Sequence, residues 1–193
     1  MNKVYIANVA PLVNEEVYKY YYDRVGEQRQ KKADKLASAE NKARCIGVGA
    51  VLRFAVEDAT DYSFDSLVFL TEENGKPYVE GNPFYFSISH SGDYAVCAIS
   101  DRPVGVDVEK ERELSESFKA RFAESVTEWT KKESKGKLTG KGVSDDSDTS
   151  DYIFTHEKTD GYVVTVCSDK YHGEMLYYHL PMPTYFLEKK AAF

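Results

Sequence analysis

The chain has 193 residues, 42% of them hydrophobic and 30% charged, and carries a formal net charge of −7. That length suits one globular unit, or two small lobes sharing a core, and buries roughly 70% of the unfolded surface without disulfide staples. The acidic balance argues against nucleic-acid binding, and no window approaches the run of about 18 apolar residues that reads as a membrane span. The opening MNKVYIANVAPLVNEE lacks the basic and apolar regions of a signal peptide. Cys45, Cys97 and Cys167 are odd in number and have no C-x-x-C spacing. They read as reduced, buried thiols of a cytoplasmic protein.

Residues 3–9 form a short predicted strand, and helical periodicity follows over 14–23 and 27–37. The stretch SAENKARCIGVGAVLRFAVEDA predicts a longer helix opened by Ser38 or Asn41. Between Arg24 and Arg44 lie seven basic residues (Arg24, Arg29, Lys31, Lys32, Lys35, Lys42, Arg44) and three acids, a local charge of +4. Such a run is usually the solvated side of a helix. On an acidic protein it is also a candidate anion site.

DSLVFLTEENGKPYV predicts a strand, an Asn74-Gly75 turn and a second short strand. FYFSISH, YAVCAIS and VGVDVE then read as three strands, whose tight turns favour antiparallel neighbours. A charged helical stretch precedes ESVTEWTKKESKGKLTG, helical until Gly140, and KGVSDDSDTSD is a polar loop. YIFTHE, GYVVTVCS, MLYYHL and TYFLEK close the chain as strands. A helix followed by three strands thus occurs twice, which predicts an α+β protein of two similar halves, 1–103 and 104–193. Tyr94, Val96, Ala98 and Ser100 echo Tyr162, Val164, Val166 and Ser168 at the same spacing.

In VGVDVE the valines line one strand face, and Asp107 and Glu109 line the other, about 7 Å apart. Like charges side by side raise each other's proton affinity, so a cation between them is the natural relief. Oxygen donors suit Mg²⁺, which takes one or two carboxylates plus phosphates and water. Two solvated acids at a strand end are the plainer reading of this motif alone. Downstream, Trp129, Glu133 and Lys137 are spaced i, i+4, i+8 and share a helix face. Trp129 should turn that face inward and leave Glu133 and Lys137 at a boundary, where an acid and an ammonium suit a metal-bound diphosphate. Gly140 and Gly142 end the helix and permit close backbone approach.

SISHSG sets Ser87, Ser89 and Ser91 opposite Phe86, Ile88 and His90, and His90 falls at a strand end where a ligand can meet it. Lys76 sits in a turn stiffened by Pro77, another phosphate contact should that turn face the basic run. No G-x-S-x-G elbow and no phosphate-binding P-loop is present. His156, His172 and His179 lack ligand spacing.

Together GKPY, FYFSISHSGDYAVCAIS, VGVDVEK and WTKKESKGKLTGKG resemble one family, the Sfp-type 4′-phosphopantetheinyl transferases. The last fits the family pattern W-x-x-K-E-[SA]-x-x-K-x-x-G-x-G at every fixed position, and the resemblance covers residues 29–142. It implies Mg²⁺-dependent transfer of 4′-phosphopantetheine from coenzyme A to a serine of an apo acyl or peptidyl carrier protein, releasing adenosine 3′,5′-bisphosphate. It implies Asp107, Glu109 and Glu133 as Mg²⁺ ligands and Lys137 as the pyrophosphate contact. Glu133 is then the candidate general base, directly or through a metal-bound water. Ser89, His90 and Lys76 match positions contacting coenzyme A, and Arg29, Lys32 and Arg44 match those gripping its 3′-phosphate. The implied fold is a pseudodimer of two α+β halves with the cofactor in the cleft between them, working as a cytoplasmic monomer. Only 19 residues separate Glu109 from Trp129, fewer than in longer members, which implies a smaller carrier-docking face. A Mg²⁺-dependent nucleotide or diphosphate hydrolase and a non-catalytic coenzyme A-binding or carrier-binding protein are the competing readings.

Overall fold

A computed structural model describes residues 1–144 and 148–182. The predicted strand TYFLEK and the centre of the polar loop lie outside the described residues. The chain runs β1 (Asn2–Asn8), a 3-10 turn (Ala10–Val13), α1 (Glu15–Tyr22), α2 (Glu27–Asp34), α3 (Ala39–Ala59), β2 (Phe69–Thr71), β3 (Pro77–Val79), β4 (Tyr85–Ser91), β5 (Tyr94–Ser100) and β6 (Val104–Lys110). It continues with α4 (Glu116–Lys119), α5 (Val126–Thr139), β7 (Tyr152–Thr159), β8 (Tyr162–Asp169) and β9 (Leu176–Leu180). The architecture is mixed α+β.

Short polar side chains start the helices where the sequence places them. Asn14 accepts from the amides of Glu16 and Val17, and Ser38 accepts from Asn41. At α5, Ser125 accepts from the Glu128 amide while the Glu128 carboxylate returns to the amide of Glu124. Each such bond satisfies an amide that the first helical turn leaves without a partner.

Two sheets form the centre, ordered β4-β5-β1-β9 and β6-β8-β7, with β2-β3 as a separate hairpin. One core lies between the sheets, where Val4, Ile6, Val96 and Ala98 meet Val104, Val106, Val108, Val164 and Val166. A second core packs α3 on the far side of the first sheet, against Tyr5, Ala95, Cys97 and Ile99. β1 and β5 are covered on both sides, which explains their unbroken apolar runs. α5 packs on the outer side of β6 and β8. The layers therefore run α3, first sheet, second sheet, α5. The echo of Tyr94 and Val96 in Tyr162 and Val164 acquires a physical meaning, because these residues share the inter-sheet core.

One sequence expectation fails. β5 and β6 are not hydrogen-bonded neighbours: β6 pairs with β8 in the other sheet. Pro103 has no amide to donate to a ladder, and Arg102 is tied to Asp169 at the end of β8, 2.6 Å away. The connection is therefore a passage between sheets. A strand also precedes the helices each time: β1 leads α1–α3 and the strands β2 to β5, and β6 leads α4, α5 and the strands β7 to β9. Hairpins β4–β5 and β7–β8 share one register, with Ser91 opposite Tyr94 and Thr159 opposite Tyr162. β1 on β5 and β6 on β8 likewise match, from Asn2 and Val104 opposite Ser100 and Ser168 to Asn8 and Lys110 opposite Tyr94 and Tyr162. β9 returns parallel to β1.

All three cysteines are free and buried. Burial pushes the Cys97 thiol well above its ordinary range and that of Cys167 up to about 12, so both stay protonated and inert. Among the described residues no helix is long and apolar enough to cross a membrane.

Candidate active site

β6 supplies the first carboxylates. With its valines committed to the inter-sheet core, Gly105, Asp107 and Glu109 face α5. Asp107 is 4% exposed and Glu109 half-buried. α5 lies unusually close because Gly105 has no side chain: a Cβ there would stand 1.9 Å from the Ser134 carbonyl oxygen. This contact brings the third carboxylate, Glu133, and Lys137 to the same place.

The buried stripe of α5 is Val126, Thr130 and Ser134, one position along from the stripe that the sequence led us to expect. Trp129 is only partly buried. It packs edge-to-face on Phe118 and Phe122, with centroids 5.1 and 5.5 Å away, and so braces the α4 segment instead of entering the core. Glu133 and Lys137 are half-buried, as a boundary position requires. The helix ends at Gly140 with φ 73°, a left-handed value that only glycine adopts readily.

β4 closes the site from the other sheet. Ser87 Oγ accepts from the Val106 amide at 3.0 Å, Ser89 Oγ donates to Asp107 Oδ1 at 2.8 Å, and Ser91 Oγ donates to Glu109 Oε2 at 2.9 Å. Lys137 Nζ donates to Asp107 Oδ1 and to Ser89 Oγ, each at 2.7 Å. Asp107 Oδ2 is buried and has no hydrogen-bond partner among the described residues.

Burial raises the Asp107 pKa despite the opposing Lys137 and Ser89 contacts. It also raises that of Glu133, helped by repulsion from Asp107 and then Glu109 and opposed by Lys137. Three carboxylates thus share one ammonium and, at Glu109 alone, the outlying Arg112 guanidinium. The surplus of negative charge and the partnerless Oδ2 fit a hard divalent cation, for which carboxylate oxygens are the preferred donors. Among the described residues, no three acid, histidine or cysteine side chains are gathered tightly enough to enclose an ion as they stand.

Asp107, Glu109, Glu133, Lys137, Ser89 and His90 line one cavity of about 830 Å³, and Arg29 and Lys32 of α2 line it too. Val48, Leu52, Phe69 and Phe86 form its apolar wall. His90 keeps an exposed edge. Burial of its ring, followed by the nearby charges of Lys137, Lys32, Arg44 and Arg29, holds its pKa below the usual histidine value. The structure therefore brings Arg29 and Lys32 of the basic run and Ser89 and His90 of the SISHSG strand to the same cavity.

Arg44 and Lys76 do not line this cavity. Arg44 spends its guanidinium on the Gly92 carbonyl (2.8 Å) and on Asn41 Oδ1 (2.7 Å), close enough to act on His90 through its charge. Lys76 Nζ donates to the Leu138 carbonyl at 2.8 Å, at the end of α5. It lines an adjoining cavity of about 290 Å³ that also touches Glu133 and Lys137. Burial lowers the Lys76 pKa. Sequence reasoning passed over Ser91 and Arg112, whose Nη1 lies 3.1 Å from Glu109 Oε2. The alternation of Ser87, Ser89 and Ser91 was the signal for the first.

No protein-family model matches the chain. Among curated proteins it is 35% identical over 136 residues to the 4′-phosphopantetheinyl transferase psf-1 of Bacillus pumilus, a stretch covering 58% of each chain. It is 25% identical over 206 residues to the 4′-phosphopantetheinyl transferase Sfp of Bacillus subtilis (strain 168), covering 86% of this chain and 92% of that one. A further 4′-phosphopantetheinyl transferase of Bacillus subtilis is 29% identical over 139 residues, 62% of each chain. These matches bear out the resemblance that the motifs carry and support reading the chain as a transferase.

Proposed function

We propose that this relative of the Sfp-type 4′-phosphopantetheinyl transferases moves 4′-phosphopantetheine from coenzyme A to a serine hydroxyl of an apo carrier protein. The observation that carries this reading is the convergence of Asp107, Glu109, Glu133, Lys137, Ser89, His90, Arg29 and Lys32 on one cavity. In the reaction the serine oxygen bonds to the pantetheine-side phosphorus, and the bond from that phosphorus to the nucleotide phosphate breaks, releasing adenosine 3′,5′-bisphosphate. Little covalent work falls to the protein, so positioning and charge neutralisation carry the rate.

Asp107, Glu109 and Glu133 are the residues to hold Mg²⁺. When bound, the ion neutralises the diphosphate and stabilises the leaving phosphate. Lys137 brings an ammonium to the same oxygens. Glu133, half-buried at the boundary of α5, takes the serine proton directly or through a water. Arg29 and Lys32 form the cationic end for the 3′-phosphate, and Arg44 adds charge from behind; His90, held neutral by its surroundings, offers coenzyme A a hydrogen-bonding ring nitrogen. Lys76 fixes the end of α5 and so the place of Lys137.

We read the chain as two similar halves meeting between residues 103 and 104, a view that the matching strand registers support. The short segment before α5 is the docking face for the carrier. Its Phe118 and Phe122 cluster with Trp129 of α5 beside a cleft of about 730 Å³ lined by Lys119, Arg121 and Lys131.

Incubation with coenzyme A, Mg²⁺ and an apo carrier, followed by mass spectrometry of the carrier, tests the reading. A gain of one phosphopantetheine supports it. Breakdown of coenzyme A with the carrier unmodified supports a hydrolase instead. Arg29→Ala should raise KM for coenzyme A by roughly tenfold with kcat nearly unchanged, as loss of one charge-assisted phosphate contact predicts. The penalty should shrink as salt is raised, because salt screens the attraction that wild type enjoys. Initial rates at two ionic strengths check both statements.

A further inference from the structure

No backbone ladder joins β4 to β6; the two strands belong to different sheets. Three alternate serines span the seam instead. The first takes the Val106 amide, and the next two give their protons to Asp107 and Glu109. The carboxylates that one sheet presents are therefore oriented by hydroxyls from the other.

We propose that Ser91 is a positioning residue for the cation, holding Glu109 so that Oε1 is the oxygen offered to the ion. The inference rests on the reading of Asp107, Glu109 and Glu133 as the metal site. Both bonds to Glu109 end on the same oxygen: Ser91 Oγ at 2.9 Å and Arg112 Nη1 at 3.1 Å reach Oε2. Oε1 has no hydrogen bond among the described residues. The two holds differ in quality. Arg112 is 48% exposed on a long flexible side chain, so its pairing is weakened by water and by lost side-chain freedom. Ser91 is half-buried, sits on a strand and has one rotatable bond before its hydroxyl. Without it, Glu109 is free to follow Arg112 toward solvent. Partners that orient a metal-binding carboxylate from behind matter strongly to affinity.

Ser91 is not among the residues that line the cavity, whereas the cations Arg29 and Lys32 are. Its loss should therefore separate ion binding from nucleotide binding. The test is a titration of the full chain with Mn²⁺, reading free ion by electron paramagnetic resonance, with and without coenzyme A. For Ser91→Ala the expected result is a Mn²⁺ Kd raised by roughly tenfold or more, the range typical of outer partners of metal ligands. Coenzyme A affinity in EDTA should match wild type. Ser91→Thr keeps the hydroxyl and should restore Mn²⁺ affinity. Ser91→Cys, with similar volume and a weak donor, stands in for the alanine variant should that fail to fold, and should also bind Mn²⁺ poorly. Unchanged Mn²⁺ affinity in Ser91→Ala, or a threonine variant as weak as alanine, would overturn the proposal. A wild-type chain that binds no Mn²⁺ would overturn the metal site itself, and this inference with it.

Discussion

Glu133→Gln should lower phosphopantetheine transfer by roughly 10²–10⁴-fold, the span typical of a lost general acid or base. Loss of a metal-binding charge at the same position adds to that. The substitution keeps the shape of the side chain and its place on α5, and it removes a carboxylate that Asp107 and Glu109 repel. The melting temperature should therefore hold or rise slightly. Carrier mass shift per unit time and a thermal melt of the same preparation measure the two halves of this prediction. A variant that turns over as wild type does would show that Glu133 neither binds the ion nor takes the serine proton.

Gly105→Ala is expected to damage stability and activity together. The added methyl would meet the Ser134 carbonyl oxygen at 1.9 Å and the Leu138 amide nitrogen at 2.6 Å. Both are backbone atoms of α5, so no side-chain rotation relieves the clash and the helix must move outward. Overpacking of this kind costs about 1–3 kcal/mol, and more where backbone must shift. For a chain of this size that corresponds to a fall in Tm of roughly 2–4 °C per kcal/mol. The displaced helix carries Glu133 and Lys137 away from Asp107, so transfer should fall further than the loss of folded protein explains. Thermal melting and kcat per folded molecule separate the two effects. Wild-type stability in Gly105→Ala would mean that α5 does not lie as close to β6 as described.

Much of this site was legible because it is written in local periodicity. Alternation along β6 put Asp107 and Glu109 on one face, and the i, i+4 spacing of Glu133 and Lys137 put both on one side of α5. The glycine stop marked the C-terminal end of that helix. What the sequence hid was non-local. The turn Asp101-Arg102-Pro103 looks like a hairpin turn, and nothing within it states that β6 will pair with β8 sixty residues later. The parallel return of β9 to β1 has no local signature. Trp129 misled because size suggested burial, whereas Thr130 and Ser134, small and polar, occupy the contact with the sheet. Thr130 belongs there because its hydroxyl meets that of Thr165 at 2.6 Å, a partner 35 residues away. Lys76 likewise reads as a surface turn residue until the carbonyl of Leu138 is placed beside it.

The central claim concerns one ion and one diphosphate, and diffraction from a crystal grown with coenzyme A and Mn²⁺ tests it most directly. The account predicts a single anomalous peak within bonding distance of Asp107, Glu109 and Glu133 that also touches both phosphates of the diphosphate, with Lys137 beside them. An anomalous peak elsewhere, or coenzyme A bound with Glu133 turned to solvent, would contradict it.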